Sequence, residues 1–198
     1  MKLEAGISNL DIRHSKRPGF TLLEMLIVVF IFSIVSAILV QTFVSFNRQH
    51  RKIANLSVLA QDMRFMTEMF VRLARSNKID YSGAPLADEL DQIRFITPDG
   101  GVTLALRQNP DCGDAKVTNC LAMKRDADVT WSVVSSKRVN VNRLSFFVRP
   151  ANDPFADTSL NYQPIVTLLI GLDFVADSPR EYSKLDAQTT VSSRLYQR

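Results

Sequence analysis

The sequence predicts an α+β fold in which a long N-terminal α-helix lays its second half on an antiparallel β-sheet. Three observations carry that prediction. An apolar run fills Phe20–Phe46, an amphipathic repeat follows without interruption, and from about residue 88 short alternating runs appear between turn signals. The averages hide this division. Over 198 residues the chain is 46% hydrophobic and 22% charged, with a mean hydropathy of zero. Those values fit an ordinary globular chain and exclude both disorder and a polytopic membrane protein.

Residues 1–19 form a polar, basic leader that ends in Lys16-Arg17-Pro18-Gly19. Residues 20–46 follow as an apolar helix with one charge, Glu24, and neither Gly nor Pro. About 20 apolar residues suffice to cross a bilayer, so this segment predicts a membrane span rather than a buried core helix. Residues 47–80 continue the helix. Their apolar positions fall at Ile53, Leu56, Leu59, Met63, Met66, Phe70 and Leu73, in steps of three and four that make one packed face. Helix breakers return only at Gly83 and Pro85, so the helix is expected to run to about Asn77.

Residues 84–198 read as a β-rich domain. Gln92–Thr97 and Val102–Arg107 flank Pro98-Asp99-Gly100-Gly101, a strong hairpin signal. Further strands are expected at Val129–Val134, Leu144–Arg149, Ile165–Val175 and Thr189–Tyr196. Pro150–Gln163 reads as a loop.

Both cysteines, Cys112 and Cys120, lie in a predicted loop beside Pro110, Gly113 and Asn119. They lack the further Cys or nearby His that a metal site needs, since His14 and His50 are far away in sequence. In an oxidising compartment they would bridge; in a reducing one they would remain two thiols.

The net charge of +4 gives little support to nucleic-acid binding. The leader accounts for half of it, and the other charges are spread along the chain. The local cluster Arg48, His50, Arg51 and Lys52 follows the apolar run directly, where lipid headgroups are the expected neighbours. Lys137, Arg138 and Arg143 read as a solvated strand edge.

The stretch Arg17-Pro18-Gly19-Phe20-Thr21-Leu22-Leu23-Glu24-Met25-Leu26-Ile27 resembles the class III signal of type IV pilins and type II secretion pseudopilins. In that pattern a basic leader ends in Gly, the mature helix begins with Phe, and a Glu stands fifth. Gly19, Phe20 and Glu24 match it residue by residue. The resemblance implies a pilin-like fold and cleavage by prepilin peptidase between Gly19 and Phe20, with methylation of the new amine. It also implies other pilin or pseudopilin subunits, the lipid bilayer and an inner-membrane assembly platform as partners. The leader would lie in the cytoplasm and the β-rich domain outside it, anchored in the bacterial inner membrane until assembly into a filament. Charge counting does not fix this orientation, because Arg13, Lys16 and Arg17 flank one end of the span and Arg48, Arg51 and Lys52 the other. An exterior domain favours the Cys112–Cys120 bridge. The absence of Gly and Pro from the apolar run, and the strands at Val166–Val175 and Ala187–Arg194, look more like a minor than a bulk subunit.

A carboxylate inside an apolar segment costs a few kcal/mol unless something neutralises it. Cleavage at Gly19 would create an amine on Phe20, and the amine of one subunit pairing with Glu24 of a neighbour would select the axial register. The competing expectation is an exported protein cleaved by ordinary signal peptidase after Val35-Ser36-Ala37, or an uncleaved anchor carrying a binding domain. Enzymatic activity is not expected: the sequence has no phosphate loop, nucleophile motif or metal-ligand cluster, and no cofactor is implied. Asp111 with Asp114, and Asp153 with Asp157, are expected to be solvated loop acids rather than calcium ligands.

Overall fold

The computed structural model describes residues 19–81, 86–156, 162–176 and 182–193. The leader to Pro18, Asp157 and the expected strand end at Tyr196 lie outside them. The chain divides into two units, Met1–Phe46 and Asn47–Arg198.

One helix, α1 (Leu22–Ser76, 55 residues), begins in the first unit and ends in the second. In the first unit none of its side chains is buried and all but Ser36 are exposed, Leu22 at 84% and Phe32 at 70%. Two of the polar interruptions are satisfied locally: Ser33 Oγ donates to the Val29 carbonyl and Thr42 Oγ1 to the Ile38 carbonyl, both at 2.8 Å. Such bonding to the previous turn spares a hydroxyl from needing water.

In the second unit the helix buries Leu59, Met63, Met66, Phe70 and Ala74, the expected stripe from its third member onward. Ile53 and Leu56 stay exposed, and Ala74 rather than Leu73 completes the buried row. The helix stops at Ser76. Asn77 closes it by donating both its backbone N–H and its side-chain amide to the Leu73 carbonyl.

The expected sheet divides into two, both antiparallel. The first has the order β1 (Lys78–Ile79), β2 (Gln92–Thr97), β3 (Gly100–Gln108), β4 (Asn119–Arg125) and β5 (Ser132–Val133). The second is β6 (Val139–Arg149), β7 (Ile165–Phe174) and β8 (Lys184–Ser192). The β2–β3 hairpin turns at Pro98-Asp99 as expected, with Thr97 opposite Gly100, whose φ of 122° a side chain would resist.

Several strand limits differ from expectation, for physical reasons. β4 was expected as loop, and it contains Cys120. Cys120, Leu121 and Ala122 are buried in succession, so both faces are covered and no alternation marks the strand. β5 keeps only two residues of Val129–Val134, and Val129 is 92% exposed. β6 starts five residues before Leu144. Its inward positions are Val139 and Val141 before a bulge at Asn142, then Leu144, Phe146 and Val148 after it. The extra residue inverts the phase, so one strand reads as two fragments. β8 starts at Lys184, five residues before the expected Thr189.

The core of this unit lies between the helix stripe and both sheets. Phe70 touches each: its ring centroid lies 6.4 Å from Phe95 of β2, edge-on, and 5.8 Å from Phe146 of β6. Ile93 and Leu104 extend the contact on one side, Leu168 and Ile170 on the other.

Candidate functional site

Gly19, Phe20 and Glu24 fall together at the start of α1. Gly19 precedes the helix, is exposed, and has nothing within 4 Å of where a Cβ would sit. Phe20 is 74% exposed. The Gly19–Phe20 peptide is therefore open on all sides among the described residues.

Thr21 is the helix N-cap. Its Oγ1 accepts from the Glu24 backbone N–H at 3.2 Å, and its carbonyl accepts the first helical bond, from Met25 N–H, at 3.2 Å. Glu24 stands three residues after the cap, the acidic position of a Thr-x-x-Glu capping box, in the first turn where the helix dipole favours a carboxylate. Sequence reasoning missed Thr21 altogether, although the Thr-x-x-Glu spacing before an apolar run is its signature. Glu24 thus has a local role in starting the helix as well as any role toward a neighbour.

The apolar helix that follows is long and apolar enough to cross a membrane, and none of its apolar window is buried within the chain. Burying one large side chain contributes about 1.5–3 kcal/mol. An unburied series from Leu22 to Phe46 therefore requires lipid or other helices around it.

The second unit holds the cysteine pair. Cys112 and Cys120 are joined in a disulfide, with Cα atoms 5.6 Å apart, and are buried with Val117 in a small satellite core that Val175 completes. Arg107 ties this loop to its surroundings. It donates to Asp111 through Nε at 3.0 Å and Nη2 at 2.7 Å, and its guanidinium lies 4.9 Å from the centre of the Trp131 ring. The loop acids are engaged in the fold: Asp111 with Arg107, Asp114 Oδ1 with the Lys116 N–H, and Asp153 Oδ1 with the Phe155 N–H. Lys137, Arg138 and Arg143 are exposed around the start of β6.

The polar surface of the first sheet is organised by Arg94. It bridges Asp80 at 3.4 Å and Asp126 at 2.7 Å, and Asp126 also accepts from the Gly101 N–H. This network lines an open cleft of about 500 Å³ with Gln92, Thr103, Lys124 and Trp131. Arg94 is matched by two carboxylates there, so the charges are spent on one another.

Residues 14–40 match the family model of the prokaryotic N-terminal methylation motif. The match covers about one-seventh of the chain and includes Gly19, Phe20 and Glu24. No curated protein matches the sequence, and no solved structure matches the fold.

Proposed function

We propose, from the premise that this is a type IV pilin-like or pseudopilin protein, that it serves as a minor structural subunit of a pilus or secretion pseudopilus. Its role is assembly and not catalysis. The observation that carries this reading is the methylation motif placed on an open Gly19–Phe20 peptide, directly before an unburied apolar helix.

Prepilin peptidase cuts between Gly19 and Phe20 and methylates the new amine. The helix anchors the mature chain in the inner membrane, with the β-rich domain outside the cytoplasm, until an assembly platform moves it into the filament. The bundle of such helices packs the side chains from Phe20 to Phe46 against one another in place of lipid, so side-chain packing rather than removal from water favours it. Glu24 then acts as the register group, attracting the Phe20 amine of an adjacent subunit. Repeated heterologous contact of this kind yields an open fibre. A helix free of Gly and Pro over Phe20–Phe46 supports the minor role.

Mass spectrometry of the chain from its native host tests the reading. The expected N-terminus is N-methylated Phe20. Gly19→Leu should accumulate the precursor, and Glu24→Val should be processed normally yet be depleted from filaments. A mature chain starting at Ile38 would instead identify an ordinary exported protein, and an intact leader a simple anchor.

A further inference from the structure

The outer edge of β8 is the longest open strand edge among the described residues. The Phe174 N–H donates to the Ser183 carbonyl at 2.9 Å, the Ser193 N–H donates to the Pro164 carbonyl at 3.0 Å, and the β7–β8 register between them is unbroken. Opposed residues in an antiparallel pair alternate between hydrogen-bonded and non-bonded. Leu185, Ala187, Thr189 and Val191 therefore turn their backbone groups to β7. Lys184, Asp186, Gln188, Thr190 and Ser192 turn theirs outward, and β7 is the only described strand that β8 pairs with.

The other edges are blunted. The first sheet ends in β1 and β5, each two residues long. The outer side of β6 carries the bulge at Asn142 and is bridged by Leu90, which exchanges both backbone bonds with Phe146 at 2.8 and 2.9 Å. Proteins commonly protect edges by shortness, bulges, charge or proline. β8 has nine residues, no bulge and no proline; its two charges, Lys184 and Asp186, sit at one end and pair with each other at 3.3 Å.

We infer that the β8 edge is a docking strand, which accepts an extended segment of a different subunit by backbone pairing. This rests on the assembly reading above. The incoming segment is uncharged opposite Ala187–Ser192. It carries polar side chains on the face of Gln188 and Thr190 and small or β-branched apolar ones on the half-buried face of Ala187 and Thr189. Among the described residues a second copy of this chain offers only its own β8 as a long unblunted edge, and such a pair would close on itself by twofold symmetry instead of propagating. The occupant is accordingly a strand of another subunit type.

Hydrogen exchange on the full chain, in filaments and as monomer in detergent, tests this directly. Peptides spanning Lys184–Ser192 should exchange about tenfold or more slowly in filaments. A photo-crosslinker at Thr190 should capture an extended segment of a different subunit. Gln188→Pro removes an outward N–H while sparing the β7 ladder, so it should abolish both signals while leaving Phe20 methylated. If that variant fails to fold, exchange in the wild-type chain decides alone. Equal exchange in the two states overturns the inference, as does a cross-link from β8 to β8 of a second copy. A chain absent from filaments overturns the assembly reading and this inference with it; a chain present there with β8 unprotected overturns this inference only.

Discussion

Tyr81 shows how one side chain ties stability to pH. It is buried, it donates to the Pro150 carbonyl at 3.3 Å, and its phenol is pushed up to about 12, first by burial and then by the Asp153 carboxylate. An unfolded tyrosine ionises near pH 10. The native state therefore holds a proton that the unfolded chain releases, so the neutral phenol's contribution is complete below about pH 10 and lost by about pH 12. Denaturant midpoints followed from pH 9 upward should fall less steeply in Tyr81→Phe than in the wild type. Gly171 is the residue-scale counterpart in the backbone. A Cβ there would run into the side chains of Asn142 and Asp186, because the bulge lies directly opposite. Both are the ends of exposed side chains that can turn aside, so Gly171→Ala should cost about 1 kcal/mol or less, read from chemical denaturation. Neither position announces itself in the sequence: a lone Gly in a strand suggests a bulge nearby but does not say on which partner.

At the scale of elements, legibility followed the clarity of the period. The helix was readable almost to its end because Leu59, Met63, Met66, Phe70 and the charges between them keep a 3.6-residue rhythm. The β2–β3 hairpin was readable because Pro98-Asp99-Gly100 is punctuation that a two-residue turn uses. β4 was not, since residues buried on both faces lose their alternation, and β6 was truncated by its own bulge. At the candidate site, Gly19, Phe20 and Glu24 were legible as a motif, whereas the Thr21 cap was not sought. The open edge of β8 could not be read at all, because strand order is not written in local pattern. The Cys112–Cys120 loop is an element with its own small core. Closing so short a ring contributes about 2.5 kcal/mol in the chain-entropy account. Cys112→Ser/Cys120→Ser should lose roughly that much. The loss should appear first as faster hydrogen exchange in Asn109–Cys120, before the global transition moves.

Over the whole second unit, Phe70 joins what would otherwise be separate layers. It belongs to the helix, meets Phe95 from one sheet and Phe146 from the other, and is 1% exposed. Phe70→Ala should cost about 3–5 kcal/mol. Because both sheets lose their common partner, the unit should also unfold over a broader denaturant range, with fluorescence from Trp131 and far-ultraviolet circular dichroism ceasing to coincide. A loss confined to one sheet, with the other retaining a sharp transition, would contradict this shared-core account. The composition that first looked uniform is thus a sum of an apolar helix that buries nothing of its own and a domain organised around one aromatic ring.

That core also has a consequence in time. It includes Leu59, near the start of the unit, and Val191, in its last strand. A chain made from its N-terminus reaches Leu59 about 130 residues before Val191. Contacts of such separation make folding slow, since a long loop must close before any of them forms. The unit therefore spends its synthesis with the helix stripe uncovered, and whatever shelters Met63, Met66 and Phe70 in that interval determines how much of the chain survives to become useful.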